Sequence, residues 1–320
     1  MFDAHPSGLT ICVLGGTGFV GTDLVARLVA DGHWVRVPTR NRSRGVQLRV
    51  LDTVELTVAN IHDARVLGQL FTGVDVVINL VGILNETAGC RFESVHTELA
   101  AKVVTAAAAA KVRRLLHMSS LGAGEQAPSQ YLRSKAAAEA RVREAPSDLE
   151  WAIFRPSVIF GSGDSLTRRF AKLLKLSGGI LPLARSQARF APISAQDVAD
   201  AFVRVLYLRG SLNDTYELCG PDIMTLEQIV RTTAKAAHVP CHIIRLPDFV
   251  ARLQGLVMGL LPGKPFSLDN YRSLTLDSVC RQDGCAILGI EPQHMESLLP
   301  LYLGSMSEQA QLELYRDDRT

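Results

Sequence analysis

No stretch of this sequence stays apolar long enough to cross a bilayer, so no membrane-spanning segment is expected. No CxxC pair and no histidine cluster occurs. The six cysteines (Cys12, Cys90, Cys219, Cys241, Cys280 and Cys285) are scattered, which argues against a zinc site or any other metal and suits a reducing compartment. Neither charge dominates: 34 Lys and Arg face 32 Asp and Glu, for a net +2. Nothing in that balance points to nucleic acid as a partner. Internal repeats and low-complexity linkers are missing as well. Met1 to Gly8 is too short and too polar for a secretory signal, so the expected location is the cytoplasm. Apolar residues, at 47% of 320, are plentiful enough for one large domain or a domain with an annex.

The run Ile11-Cys12-Val13-Leu14 reads as a buried strand, in which Cys12 would be inert. Gly15-Gly16-Thr17-Gly18-Phe19-Val20-Gly21 follows, and then an amphipathic run from Thr22 to Ala30. Strand, glycine turn and helix in that order predict a dinucleotide site. Gly15 permits the tight turn, Gly18 lets the backbone approach a pyrophosphate, and Gly21 lets the helix pack closely on the strand. The helix N-terminus then offers unpaired amides and a partial positive charge to the phosphates. A further absence selects the nucleotide. A second strand, His33 to Arg40, should end in Asp or Glu if it holds the ribose hydroxyls of NAD, yet no acid lies between Asp31 and Asp52. Thr39, Arg40, Arg42, Ser43 and Arg44 stand there instead. A solvated basic loop accounts for Arg44. Arg40, at the strand end, is expected to meet a 2′-phosphate, whose charge and shape a guanidinium matches. NADP(H) is the preferred cofactor and NAD(H) the alternative.

Strands and helices go on alternating. Val54–Val58, Val74–Val81, Arg114–Ser119 and Trp151–Arg155 read as strands, the last stopped by Pro156. Ala64–Phe71, Phe92–Ala110 and Tyr131–Glu144 read as helices. This pattern predicts an α/β fold, a Rossmann-type doubly wound parallel sheet with a smaller C-terminal substrate domain. The expected division is 8–160 with 190–220 for the nucleotide domain, and 161–189 with 221–320 for the rest. Later helices are expected at Leu166–Leu176, Asp197–Leu208, Leu226–Ala237 and Phe249–Leu261, and a short strand at Tyr216–Cys219. The stripe Phe249, Val250, Leu253, Leu256, Val257, Leu260 and Leu261 is expected to pack on its own domain, with a partner or membrane surface as the alternative. The tail from Ser305 to Thr320 reads as solvated.

Tyr131 and Lys135 stand four apart, hence on one helix face, and Ser119 and Ser120 end the preceding strand. All fall at the carboxyl edge of the sheet, where ligands gather in such folds. A phenol with an ordinary pKa near ~10 exchanges protons poorly at neutral pH. A lysine cation and an oxidised nicotinamide would favour the phenolate and lower that value. Tyr131 would then act as base on an alcohol or acid on a carbonyl, with Ser120 hydrogen-bonded to the same oxygen. The plainer alternative is that Tyr131 and Lys135 merely cover a helix.

Taken together, Gly15 to Gly21, Asn79 to Gly82, Ser119-Ser120, Tyr131 with Lys135, and the run Arg155-Pro156-Ser157-Val158-Ile159-Phe160-Gly161 resemble the extended or atypical short-chain dehydrogenases/reductases, the epimerase and dehydratase family. Ile193–Ala199 and Tyr216–Pro221 match too. Within that group, Tyr131-Leu132-Arg133-Ser134-Lys135, His96 and the Arg155–Gly161 run resemble bacterial relatives of the NADPH-binding accessory subunit of respiratory complex I, as do Leu246-Pro247 and Pro265 to Leu274. The resemblance implies a cofactor set of Gly15, Thr17, Gly18, Phe19, Val20, Gly21, Arg40, Asn60, Ile61, Leu80, Val81, Gly82, Lys135, Pro156 and Val158. It implies a catalytic set of Tyr131, Lys135, Ser120 and Ser119. Asn60 departs from the family's usual Asp.

Other residues have plainer readings. His96 reads as a satisfied helix histidine, with a proton relay as its sharper role. Arg155 reads as structural and Asp197 as a helix cap. Arg168, Arg169, Lys172 and Lys175 form a basic face that is solvated or meets a substrate phosphate. Two functions follow: an oxidoreductase or epimerase acting on a small alcohol or carbonyl, or a non-catalytic nucleotide-binding subunit or sensor. The second would associate with respiratory complex I or another assembly, as a protein partner or peripherally at the inner membrane through the C-terminal half.

Overall fold

The computed structural model describes residues 8–87, 89–208, 212–259 and 266–304. The first strand, β1 (Thr10–Leu14), is almost wholly buried and turns at glycine into α1 (Phe19–Ala30). Next come β2 (Trp34–Thr39), β3 (Val54–Val58), α2 (Ala64–Phe71), β4 (Val76–Asn79), α3 (Leu99–Ala109), β5 (Arg114–Met118), α4 (Gln130–Arg143) and β6 (Glu150–Pro156). A second group opens with β7 (Ile159–Phe160), α5 (Ser165–Leu176), β8 (Ile180–Leu183), β9 (Arg189–Phe190) and β10 (Ile193–Ser194). Then follow α6 (Ala195–Leu206), β11 (Asp214–Leu218), β12 (Met224–Thr225), α7 (Leu226–Ala236), β13 (His242–Arg245), α8 (Asp248–Gly259), α9 (Leu268–Ser273), α10 (Gly284–Ile287) and α11 (Met295–Leu303).

The chain divides into two units. One holds residues 1–156, 195–218 and 280–291; the other holds 157–194, 219–279 and 292–320. The first is built on a seven-stranded sheet in the order β11-β6-β5-β4-β1-β2-β3, parallel throughout. Its central strands are covered on both faces: every residue of β4 and β5 is buried, the polar Asn79, Arg114 and His117 included. Cys12, Leu67, Phe71, Val77, Leu99 and Leu115 belong to the core under one face. On the other face α1 lies against α6. The strand order reverses direction between β1 and β4, and in such sheets the crevice beyond that switch point receives the ligand.

Two element expectations need correction. β6 is not stopped before Pro156 but includes it, in register with Leu218 of β11. The residue before a proline favours extended backbone, so the proline does not interrupt the strand. The long helix expected from Phe92 begins as a π-helical stretch, Glu93–Glu98, and becomes α only at Leu99. This extra residue per turn re-aims the side chains of its buried face, His96 among them.

The second unit pairs β7 with β10, β9 with β12 and β8 with β13. Phe160, Ile229, Met295 and Leu299 form one small core, and Leu174, Leu181, Leu183, Leu226 and Val230 another. The expectation that the Phe249 helix packs through its large side chains is overturned. Ala251 and Gly255 are its buried residues, and a Cβ on Gly255 would come within 3.3 Å of Leu268 backbone. That small face allows close approach to α9, and the large side chains point the opposite way. Leu260, Leu261, Pro265 and the tail from Ser305 lie outside the described residues. The scattered cysteines, expected to suit a reducing compartment, are not all free. Cys219 and Cys280 are disulfide-bonded, whereas Cys12, Cys90, Cys241 and Cys285 are free. No helix among the described residues is long and apolar enough to cross a membrane.

Candidate active site beyond the carboxyl edge of the sheet

Gly15 takes a left-handed backbone (φ 84°), and the Gly16 and Gly18 amides donate to Val13 O and Gly15 O at 3.2 and 2.9 Å. A Cβ on Gly21 would collide with Gly15 O, and a Cβ on Gly15 would stand 3.3 Å from the Leu80 carbonyl carbon. The turn after β1 and the loop after β4 therefore touch at backbone distance. Gly18 is the N-cap of α1 and supplies no side-chain cap, so no side chain of the cap residue covers the first turn.

Opposite this turn stand the residues of β5 and α4. Ser129 caps α4 by accepting from the Leu132 amide at 3.2 Å, which fixes where the helix starts. Tyr131 then falls in its first turn and Lys135 one turn on. The Ser120 hydroxyl, which donates to the Leu121 carbonyl at 3.4 Å, lies near enough to the Tyr131 phenol to influence it. Burial pushes the phenol above its ordinary value, and Ser120 opposes that rise. The expected lowering is thus not seen in the protein alone. Burial is the cause, and Lys135 is engaged elsewhere: its Nζ donates to the Met118 carbonyl at 3.1 Å, and burial lowers its own pKa to about 8 against the pull of Glu139. Gly82 makes room for this ammonium, since a Cβ there would lie 3.0 Å from Lys135 Nζ.

Two buried histidines lie beneath. His96 Nε2 accepts from the Ile83 amide at 3.0 Å, so the proton sits on Nδ1, 2.8 Å from Ser134 Oγ. Ser134 in turn donates to the Tyr131 carbonyl at 2.7 Å. One imidazole thus ties the loop after β4 to the helix that carries Tyr131. Both ring nitrogens are taken up in this way, which places His96 as a fixed bracket. Asn79 Oδ1 accepts from the Val81 amide at 3.1 Å, so its Nδ2 donates to His117 Nδ1 at 3.3 Å. A second proton on either ring would point at an N–H group. Burial, then the Lys135 cation, then the other histidine lower His96 to about 2. Burial and Lys135 lower His117 to about 3.

Ser119 does not share the position of Ser120. Its hydroxyl donates to Glu139 Oε1 at 2.5 Å. Arg155 grips the same carboxylate with two bonds of 2.7 and 2.6 Å, and Arg143 adds a third at 2.8 Å. Burial works to raise Glu139, but the bonds from Arg155, Ser119 and Arg143 with the Arg155 charge outweigh it, and the carboxyl sits below the usual range. Arg155 is therefore a structural partner, as its sequence position suggested. Sequence reasoning missed Glu139, Ser134 and His117. Their one signal was polarity: Ser134 and Glu139 interrupt the buried face of α4, and His117 sits inside a strand otherwise read as core.

The remaining expected residues fall at the same edge or away from it. Arg40 is exposed just past β2 and close enough to His62 for its charge to help lower that imidazole, after burial and Lys102. Asn60 spends its Oδ1 on the His62 amide at 3.1 Å, and Ile61 packs on the core. Pro156 accepts from the Leu121 amide at 2.9 Å. Val158 belongs to the second unit, where its carbonyl accepts from Ile193. Asp197 is not a cap: α6 begins at Ala195, which places Asp197 inside the first turn, where the helix dipole favours a carboxylate.

Residues 15–207 match a family model described as NAD(P)H-binding. This chain belongs to that NAD(P)H-binding family. The family assignment agrees with the resemblance to extended short-chain dehydrogenases/reductases. The NAD(P)H-binding chain is 30% identical to the NADH dehydrogenase [ubiquinone] 1 alpha subcomplex subunit 9, mitochondrial, of Arabidopsis thaliana, over 85% of its own length and 69% of that protein. It is 34% identical to a ceramide reductase of Caulobacter vibrioides, over 74% of each. A UDP-glucose 4-epimerase from Thermotoga maritima has the same fold, with a TM-score of 0.72 at 16% identity, covering 94% of this chain and 100% of that one.

The residues present fit such a nucleotide. A turn that no Cβ fills meets a helix start without a side-chain cap, and cations rather than carboxylates stand past β2. Burial pushes the Cys12 thiol up to about 12, which keeps it from reacting.

Proposed function

We propose that this protein is an NADP(H)-preferring oxidoreductase or epimerase acting on an alcohol or carbonyl, with Tyr131, Lys135 and Ser120 as its working groups. The observation that supports this most is the buried Tyr131 phenol, with Ser120 near it and Lys135 one helical turn on, at the edge that also carries the glycine turn. Gly15, Thr17, Gly18, Phe19, Val20 and Gly21 would hold the pyrophosphate, Arg40 the 2′-phosphate, and Leu80, Val81, Gly82 and Pro156 the nicotinamide half. Once bound, the nucleotide supplies hydride chemistry. The protein's own part is the proton. A phenol raised by burial is a neutral donor at pH 7, which favours protonating a carbonyl oxygen over deprotonating an alcohol. Ser120 would hold that oxygen, and Lys135 would stabilise the phenolate left behind.

The test is NADPH-dependent reduction of a panel of aldehydes and ketones, a keto form of ceramide included since one relative is named a ceramide reductase. Tyr131→Phe should lower kcat by about 10²–10⁴ while NADPH affinity stays within twofold. An unchanged kcat would remove Tyr131 from the chemistry. Arg40→Ala separately tests the nucleotide preference. It should weaken NADPH about tenfold or more and leave NADH unaffected, because only the former offers a phosphate to the guanidinium. Equal losses for both would end the 2′-phosphate reading.

A second reading, a nucleotide-binding subunit or sensor without turnover, has its own support. Lys135 spends its ammonium on the Met118 carbonyl rather than on lowering Tyr131. The Arabidopsis relative is named as a subunit of an assembly, which supports a protein partner for this chain. Tight NADPH binding with no turnover on any carbonyl would favour it.

A further inference from the structure

We infer that the second unit docks on an anionic lipid surface through the outer faces of α8 and the β8–β13 ribbon. In α8, Phe249, Leu253, Leu256 and Val257 follow one another at helical spacing and are 74, 58, 54 and 55% exposed. A helix whose large residues face out while Ala251 and Gly255 face in is inverted with respect to its own domain. The ribbon shows the same inversion. Ile180 pairs with His242 and Pro182 with Ile244, and all four side chains are exposed, while Leu181, Leu183 and Ile243 join the core behind. Ile244 and Phe249 are five residues apart in the chain, no more than about 18 Å. Leu176, which precedes Ile180 by one turn, is exposed as well.

Charge selects the occupant. Helix α5 carries Arg168, Arg169, Lys172 and Lys175, and between residues 161 and 194 the single acid is Asp164; Arg185 and Arg189 also lie there but pair with Asp248 and Asp277. Lys172 and Lys175 are exposed, and no ion pair joins them among the described residues. Lys175 adjoins Leu176, and Arg252 borders the α8 stripe. A second copy docked about a two-fold axis would set these cations against their own kind. A bilayer with anionic headgroups takes up both the apolar side chains and the charges. Outward apolar residues with Arg252 beside them, on a helix of about 18 Å whose one acid, Asp248, is paired with Arg185, suit a segment lying flat in the headgroup layer.

Flotation of the whole protein with vesicles tests this, and it does not depend on the nucleotide reading, which NADPH binding judges separately. The protein should float with phosphatidylcholine vesicles containing phosphatidylglycerol and do so less as salt rises. Phe249→Gln with Leu253→Gln should reduce the bound fraction about tenfold or more. Lys172→Gln with Lys175→Gln should reduce binding to the anionic vesicles and leave any binding to pure phosphatidylcholine unchanged. All four positions are exposed, and an unchanged circular dichroism melt confirms that each variant is folded. If the wild type stays in solution with both vesicle types, or the α8 variant floats as well as the wild type, the inference is wrong. It is equally wrong if the wild type ignores vesicles and sediments as a dimer that the α8 variant breaks, since the face is then an interface between copies, or if it ignores vesicles and binds an acidic protein through this face.

Discussion

Urea unfolding at falling pH should show the protein losing about 5 kcal/mol of stability between about pH 7 and pH 4.5, before most carboxylates are protonated. His96 and His117 are each only 2% exposed, and their pKa values drop from an ordinary 6.5 to about 2 and about 3. The unfolded chain takes up both protons as pH falls through 6.5, while the folded chain refuses them until far lower. The folded state therefore loses ground with every step of acid, at about 1.4 kcal/mol per pH unit for each ring. An ordinary domain has ~5–15 kcal/mol in all, so acid alone should come close to unfolding it. Glu139, with its carboxyl held below the usual range, acts in the same direction but only below about pH 4.5. His117→Leu removes one of the two rings and should halve the slope. A stability that stays flat down to pH 4.5, or a slope that H117L leaves unchanged, would show that the rings are not held neutral.

Those two rings also mark the limit of what the sequence made legible. The sheet and the glycine turn follow from local patterns: an apolar run, a glycine at each close approach, a helix with a 3.6-residue period. Ala64–Phe71 and Val54–Val58 are observed at the expected bounds because nothing distant alters them. Tyr131 and Lys135 fall one turn apart on α4, as their spacing along the sequence requires, and Ser120 lies just past β5. The partners of the site residues were not legible in that way. Glu139 meets Ser119 and Arg155 across 20 and 16 residues, and His96 meets Ser134 across 38. Such contacts depend on which strand lies next to which, and no local period records that. The misreading of α8 has another origin. Periodicity shows that a helix has an apolar face, but not whether that face points inward, and Ala251 and Gly255 form a second, smaller face that does the packing.

Lys135→Met should abolish turnover and at the same time make the protein more stable by about 1–3 kcal/mol at pH 7. The ammonium is 4% exposed, and burial brings its pKa from 10.5 to about 8 despite the attraction of Glu139. At neutral pH the folded chain holds a cation that the unfolded chain would hold more comfortably, by about 3 kcal/mol. Removing the charge recovers that sum, less about 1 kcal/mol for the lost bond to the Met118 carbonyl. Methionine fills nearly the same volume, and Glu139 is not left alone, since Arg155, Arg143 and Ser119 still hold it. The sign can be checked by pH. A buried amine with a lowered pKa costs the fold most below about pH 8; the cost shrinks as pH rises and is gone near the ordinary 10.5. The gain from K135M should therefore be full at pH 7 and fade toward pH 10. Urea melts of the two proteins at both pH values measure it. A variant less stable than the wild type at pH 7 would mean that Lys135 supports the fold, and its place at the site would then need no catalytic reason. A more stable variant is what a site kept for proton transfer predicts, because only function then accounts for burying a cation where an apolar side chain fits better.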